Sequence, residues 1–497
     1  MELKKLIKNT SYLAGTSVFN FVAGVFRAKI NAVILGPNGI GIINQLNFMS
    51  QKMSEFTMLS MSEAVVKQIA ENKDKKEVRE LINASLKSYI VLVLSFMVFI
   101  IIVFWIFSEK LTIYVLGDLK YMIYFYIGLF AFPILILNSI PYAILKGFKD
   151  VKSISIAKVG TAVINLIVFL PLVLLFKLKG AVIYLPLSYL ISLLINYLIT
   201  RKKHLIRLNI GLKTIFRVRM RKSFVRELFL FSGFGLTIGS YTIISEFVCR
   251  SIVVSHLSVD AIGLYRPIIA WSSLFTGFLI ASFSTYLFPR FAETKTDEET
   301  VGILNDAIRL NTFLLLPFLF LGIPYRNLLI TIFYSKEFLE AGNYLPLHFI
   351  GMIFYVWWYN LALSLTPTGR IKQHAFFMFL YLTLDIGVTF VTVPVWGLYG
   401  WMMKHLLSPV VFSVIYYLYL RKSMKFRLSR DNVWIMLYLF SISVILSVSL
   451  VWKDFFVISY FLGPLLLFSA WFLLKDSEKK LIYGRVMAVK KKVLRKN

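Results

Sequence analysis

Apolar runs of roughly twenty residues, separated by short polar islands, recur along the whole chain of 497 residues. They lie near 11–34, 40–64, 81–107, 120–145, 154–176, 180–200, 229–255, 262–288, 308–333, 345–366, 375–395, 397–420, 432–451 and 455–474. A helix needs about 20 predominantly apolar residues to cross the hydrocarbon core, so the pattern predicts fourteen membrane spans. Barrel strands would alternate apolar and polar positions over about ten residues. These runs are longer and continuous, and in lipid a helix satisfies its own backbone groups.

The polar punctuation repeats as well. Leu35-Gly36-Pro37-Asn38-Gly39-Ile40-Gly41-Ile42 matches Leu257-Ser258-Val259-Asp260-Ala261-Ile262-Gly263-Leu264 at an offset of 222 residues, which also aligns Ser50 with Ser272 and Gly147 with Gly369. Spans 1–6 therefore correspond to spans 7–12. Six crossings return the chain to its starting side, so the halves share one orientation and are related by an axis along the membrane normal. The expected fold is an all-α integral membrane protein: two six-helix bundles in a parallel pseudo-two-fold repeat, two further C-terminal helices, and a central cationic cavity. The domain boundaries that follow are 1–200 for the first bundle, 201–228 for a basic linker, 229–420 for the second bundle, 421–474 for the two additional helices and 475–497 for a basic tail.

Composition agrees with a chain mostly in lipid: 58% hydrophobic, 16% charged and a mean hydropathy of +0.74, against about 25% charged in soluble domains. The net charge of +30 raises nucleic acid as a partner, but the placement of the charge answers otherwise. Forty-one Lys and Arg fall at the N-terminus and in every second connection, and seven in the opposite connections. By the positive-inside rule both termini are cytoplasmic, and the basic segment 200–226 meets anionic headgroups rather than nucleic acid. The N-terminal Met1–Thr10 has basic residues but no cleavage site after a short apolar region, so it reads as the start of span 1. The lone cysteine, Cys249, excludes an intrachain disulfide and suggests no thiolate metal site.

Charges placed inside spans are costly unless they face water or a partner, and mark functional positions. Span 1 carries Arg27 and Lys29 with Asn20 and Asn31; span 2 carries Asn44, Gln45, Asn47, Gln51, Lys52 and Glu55; span 7 carries Glu246 and Arg250, four apart; span 8 carries Arg266. Asn44, Asn47 and Gln51 follow i, i+3, i+7 spacing and share one helix face. Glu246 and Arg250 are spaced to pair along the helix. Asp385 in span 11 and Lys404 in span 12 could pair with one another. Lys87 is placed to snorkel from the cytoplasmic end of span 3, His256 reads as interfacial and His348 as packed. A face lined by Arg and Lys attracts an anion, and Arg matches phosphate geometry. The candidate substrate-binding residues are thus Arg27, Lys29, Lys52, Arg250, Arg266, Asn44, Asn47 and Gln51; the coupling or gating candidates are Glu55, Glu246, Arg326, Asp385 and Lys404. No phosphate-binding loop, HExxH motif or long extramembrane segment is present, so a driving force would come from an ion or substrate gradient. No metal or other cofactor is implied beyond a coupling H+ or Na+.

Four segments carry a resemblance: LGPNGIGIINQLNFMSQ at 35–51, KGFKD at 146–150, ASFSTYLFPRFAE at 281–293 and SKEF at 335–338. In this order and spacing they look like the Wzx-type flippases of O-antigen and enterobacterial common antigen units, within the multidrug/oligosaccharidyl-lipid/polysaccharide exporter superfamily. The resemblance covers spans 1–12. It implies a non-enzymatic transporter in the bacterial inner membrane that moves an oligosaccharide on undecaprenyl pyrophosphate to the outer leaflet, its headgroup received by Arg27, Lys29, Lys52, Arg250 and Arg266. It also implies a basic position at Arg326, and a monomer that works beside polysaccharide polymerisation machinery. Met352 stands where some relatives carry an acid in span 10, which counts against an acid-dependent proton step there. Spans 13 and 14 resemble those of fourteen-helix polysaccharide exporters and of the lipid II flippase. Two rivals stand beside this reading: a drug/cation antiporter of the same superfamily, which the cationic face of spans 1 and 2 opposes, and a membrane polysaccharide polymerase or ligase, which would need a sizeable external loop.

Overall fold

A computed structural model describes residues 2–75, 77–234, 239–283, 287–449, 456–474, 476 and 479. Positions 284–286 of the third motif, the 450–455 connection and almost all of the 475–497 tail lie outside the described residues. All regular elements within them are helical: α1 (Glu2–Met58), α2 (Met61–Asn72), α3 (Val78–Ile106), α4 (Ser108–Leu116), α5 (Met122–Gly147), α6 (Val151–Thr200), α7 (Leu212–Arg217), α8 (Lys222–Phe234), α9 (Ser240–Leu257), α10 (Val259–Ser282), α11 (Phe288–Glu293), α12 (Asp297–Gly322), α13 (Arg326–Phe333), α14 (Ala341–Ser364), α15 (Ile371–Met424), α16 (Arg430–Ser449) and α17 (Phe456–Ser469).

Eight of these, α1, α3, α5, α6, α12, α14, α15 and α16, are long and apolar enough to cross a membrane. Three of the eight are each interrupted once by non-helical backbone: α1 at Gly36 (φ 61°, ψ −170°), α6 at Lys177 (φ 47°, ψ −125°) and α15 at Gly397 (φ 57°, ψ −132°). The breaks fall between expected spans 1 and 2, 5 and 6, and 11 and 12. Expected spans 7, 8 and 14 fall on α9, α10 and α17, which are helical but outside that set of eight, so this criterion does not deliver a count of fourteen. Two boundaries move. Span 2 stops at Met58, where Leu59 and Ser60 take positive φ. Span 9 begins at Asp297, capped by the Thr296 hydroxyl, which accepts from the Glu299 amide at 3.2 Å, with three acids in its first turn favoured by the helix dipole.

The expected repeat is written into the backbone. Gly36 and Ser258, 222 apart, both carry positive φ with extended ψ, Ser258 at φ 85°, ψ 169°. The second correspondence has an offset of 220. Lys177 and Gly397 break their helices alike, and three residues later Gly180 and Gly400 sit against carbonyls eight residues back: a Cβ would lie 1.9 Å from Leu172 O and 2.1 Å from Thr392 O. Chain reversals this tight leave no room for a side chain.

Packing divides the chain into two units: residues 1–267, 331–340 and 375–401, and residues 268–330, 341–374 and 402–497. The core of the first packs Leu46, Met49, Tyr89, Phe125 and Phe132 between α1, α3 and α5. That of the second packs Phe275, Leu316, Phe320, Phe349 and Leu439 between α10, α12, α14 and α16.

Candidate functional site

The first unit contains a close approach between the two repeats. The turns at 35–41 and 257–263 meet backbone to backbone: a Cβ on Gly41 would lie 2.1 Å from Val259 O, and one on Gly263 would lie 1.9 Å from Pro37 O. Gly41 corresponds to Gly263 and Pro37 to Val259 at the offset of 222, so the contact is reciprocal, the signature of a local two-fold relation. Asn38 and Asp260, also equivalent, hydrogen-bond to each other across it, Asn38 Nδ2 donating to Asp260 Oδ1 at 2.5 Å.

Next to this clasp, α1 and α9 build a charged cluster. Arg250 donates from Nε and Nη2 to Glu246 Oε1, both at 3.3 Å, and from Nη1 to Gln45 Oε1 at 3.0 Å. Its guanidinium lies over the Phe48 ring, 4.2 Å from the centroid, the arrangement of a cation–π contact. Gln45 is itself buried, and its Nε2 donates to Val115 O at 3.0 Å, so the oxygen that receives Arg250 is fixed in place. Arg266 on α10 is exposed and close enough to interact electrostatically with Arg250 and with Tyr334.

A second set runs along α1 and the far segment of α6. Arg27 Nη1 donates to Tyr184 Oη at 2.9 Å, and Lys29 Nζ to the Thr331 carbonyl at 2.6 Å. Tyr189 donates to Asn47 Oδ1, which also accepts from Gln51 Nε2 at 3.2 Å. Lys52 and Glu55 form an ion pair at 2.8 Å.

The expected site residues are therefore brought together unevenly. Glu246 and Arg250 pair as their spacing predicts, and Asn47 and Gln51 share a face. Asn44 is half-buried, without a hydrogen bond linking it to them. Lys52 and Arg250 each face an acid, whereas Arg27 and Lys29 donate to neutral oxygens and form no ion pair among the described residues. Asp385 is buried in the first unit, its carbonyl accepting from Thr389 Oγ1 at 2.6 Å. Lys404 and Arg326 are buried in the second; Arg326 opens α13 rather than closing span 9. Lys87 Nζ donates to Phe216 O at 2.8 Å and Val218 O at 2.7 Å, pinning the linker backbone. Sequence reasoning passed over Gln45, Phe48, Tyr184 and Tyr189 as site members. Gln45 lies off the Asn44–Asn47–Gln51 stripe, and its role appears only when α9 is placed against it.

On the cytoplasmic side of the expected topology, α2 is tied to α8. Lys67 Nζ lies 2.6 Å from Glu227 Oε1, and Gln68 Nε2 donates to Glu227 Oε2 at 3.0 Å while Ser85 donates to Gln68 Oε1 at 2.5 Å. Burial pushes the Glu227 carboxyl up, but hydrogen bonds from Lys67 and Gln68 outweigh it and hold the group below the usual carboxylate range. The Lys67 ammonium is raised by its hydrogen bond to Glu227.

Comparison with known proteins gives three kinds of likeness. The sequence profile of a family described as polysaccharide biosynthesis protein matches residues 6–295. A Shigella flexneri protein named "Putative O-antigen transporter" is 22% identical over 401 residues, covering 77% of this chain and 90% of that protein. Among solved structures, a lipid II flippase, MurJ, in an inward closed conformation aligns with a TM-score of 0.66 at 18% identity, over 92% of this chain and 98% of that one. An inward-facing multidrug resistance MATE family transporter of the MOP superfamily aligns at 0.67 and 14% identity, over 82% and 94%. A MOP superfamily transporter from Pyrococcus furiosus aligns at 0.57 and 12%, over 84% and 96%. At these identities the structural matches speak to fold, and they agree with a multi-pass helical membrane protein built on the MOP pattern.

Proposed function

The chain belongs to the polysaccharide biosynthesis protein family, and from that premise we propose that it is a flippase, passing an oligosaccharide carried on undecaprenyl pyrophosphate from the cytoplasmic to the outer leaflet of the bacterial inner membrane. It works by alternating access, makes no covalent change to its cargo, and draws on an ion gradient. Its termini lie in the cytoplasm. The Shigella flexneri protein named "Putative O-antigen transporter", aligned over most of both chains, supports a polysaccharide-unit cargo.

The observation that carries the anionic headgroup is the pair Arg27 and Lys29. Both lie within α1 and both donate only to neutral oxygens, so their positive charge is uncancelled and can be handed to a pyrophosphate. An intramembrane cation held without a counter-ion is costly in lipid, and an incoming polyanion removes that cost. Arg250, Lys52 and Arg266 extend the positive surface, the first two tempered by Glu246 and Glu55. Asn47, Gln51 and Tyr189 add neutral donors and acceptors suited to sugar hydroxyls. In this reading the clasp at Asn38–Asp260 and Gly41–Gly263 closes the outer side, and outward opening parts it.

Depletion of the protein in cells tests the cargo. Undecaprenyl-linked glycan should accumulate in the inner leaflet. If none accumulates, the flippase reading fails; single units already exposed on the outer leaflet would instead indicate a polymerase.

A further inference from the structure

The second unit buries ionisable groups for which an anion-binding site has no use. His348 on α14 is 4% exposed, and its Nε2 lies 2.5 Å from Ser272 Oγ on α10. Ser272 Oγ also lies 3.0 Å from the Ile268 carbonyl. A carbonyl can only accept, so the single hydroxyl hydrogen of Ser272 is committed there, and towards His348 the serine acts as acceptor. Nε2 therefore carries the ring hydrogen, and the lone pair of neutral His348 is on Nδ1. His405 on α15 stands edge-to-face with this imidazole, ring centroids 5.1 Å apart and planes at 70°.

The two rings are held at fixed separation. Gly351, three residues after His348, faces the α15 backbone so closely that a Cβ would lie 2.3 Å from His405 O and 3.2 Å from Leu406 Cα. The helices carrying the two imidazoles are thus in direct backbone contact at this level, which fixes the pair as a unit.

What surrounds the pair narrows its chemistry. On α15 the ionisable group next to His405 in sequence is Lys404, buried; on α14 the groups are Tyr344, Tyr355 and Tyr359; α16 offers only Tyr438 beyond its first turn; α17 offers only Tyr460; α12 offers none between Arg309 and Gly322; and α10 offers none from Ile268 to Ser282. No Asp or Glu occurs in these stretches of α10, α12 and α16, in α14 or in α15 from Met402 onward. Imidazole is the side chain whose ordinary range places a proton change near neutral pH.

We propose that His348 and His405 form a proton-binding site in the spans of the second unit, through which a proton gradient acts on transport. The proposal rests on the flippase reading for its cargo. A proton taken up at Nδ1 of His348 leaves both ring nitrogens as donors. With the second imidazole 5.1 Å away, like-charge repulsion disfavours charging both rings, so the pair carries one proton at a time.

Purified protein in liposomes tests this with lipid-linked oligosaccharide, one-unit pH gradients and sodium gradients imposed separately. For one coupled proton, one pH unit is worth at most about a factor of ten in the transbilayer distribution. The wild type should show a several-fold shift with the pH gradient. His348→Gln keeps a donor for Ser272 but cannot titrate, and should abolish the pH response while preserving folded protein and gradient-independent movement; His405→Gln should reduce it. Retention of the full pH response in both variants, or a response to sodium instead, overturns the proposal. Nitrogen-15 NMR of the histidines provides a readout that needs no cargo. At high pH, His348 should appear as the neutral Nε2–H tautomer, and it should gain a proton on Nδ1 within pH 4 to 8. A ring that stays neutral throughout, or begins as the Nδ1–H tautomer, overturns the proposal. If the wild type moves no oligosaccharide yet His348 titrates as described, the flippase reading fails and the proton site stands.

Discussion

Adding one methyl group at Gly263 tests the reciprocal clasp. In Gly263→Ala the new Cβ would sit 1.9 Å from Pro37 O and 2.7 Å from the carbonyl carbon behind it. Even a close carbon–oxygen contact is about 3.3 Å, so the two backbones must part by roughly 1.4 Å. Both partners are main chain, and no side-chain rotation can relieve the overlap. Overpacking of this kind costs about 1–3 kcal/mol. If the clasp exists only when the outer side is closed, that cost falls on one state alone and shifts the balance away from it by about 5- to 150-fold. Gly41→Ala, facing Val259 O at 2.1 Å, should act alike. The double variant should cost less than the sum, because parting the turns once accommodates both methyls. Gly24→Ala is the control, since nothing lies within 4 Å of its Cβ position. The assay is labelling of a cysteine at Asn38 by an impermeant maleimide from outside. Each clasp variant should raise the labelling rate several-fold over the control; folded Gly263→Ala and Gly41→Ala proteins that both label at the control rate would refute the state-dependent clasp.

Further predictions concern charge, backbone and pH. Arg27→Ala and Lys29→Ala should weaken transport of pyrophosphate-linked cargo by about 10- to 100-fold each, the scale of losing a hydrogen bond to a charged group, measured as the substrate dependence of flipping; folded variants with wild-type transport would remove these residues from the site. Lys177→Gly should raise stability by about 1–3 kcal/mol, because lysine there adopts the strained conformation that glycine occupies at the equivalent Gly397; thermal unfolding in detergent checks it. For the Lys67–Glu227 latch the sign follows from both partners. The lowered Glu227 group stabilises fully above the ordinary carboxylate range, and this is lost as pH falls through its lowered value. The raised Lys67 group stabilises fully below the ordinary lysine range, and this is lost as pH rises through its raised value. The latch is intact between about pH 5 and 10. Glu227→Gln should lower the melting temperature slightly within that window and flatten the acid-side decline, and an unchanged acid-side profile would dismiss the latch.

Much of the fold was legible because in lipid it follows from hydrophobic length. The repeat was legible for a different reason: Gly41 and Gly263 are required by the backbone contact between them, so their spacing survives when side chains differ. The later correspondence was hidden, because Lys177 stands where Gly397 stands and the offset slips from 222 to 220. Pairings along one helix, such as Glu246 with Arg250, could be read from spacing. Pairings between helices, such as Arg250 with Gln45 or Arg27 with Tyr184, could not, since neither partner marks the other in sequence. His348 read as packed, and it is; that Ser272 fixes its tautomer depends on α10 and α14 meeting.

The central claim is that this protein carries a pyrophosphate-linked oligosaccharide across the bilayer. It is tested most directly by reconstituting the purified protein into liposomes loaded with a fluorescent undecaprenyl-pyrophosphate oligosaccharide and following the outer-leaflet fraction with an impermeant quencher. Protein-dependent equilibration that is slowed at least tenfold in the Arg27→Ala, Lys29→Ala double variant is expected. Equilibration no faster than in protein-free liposomes would contradict the account.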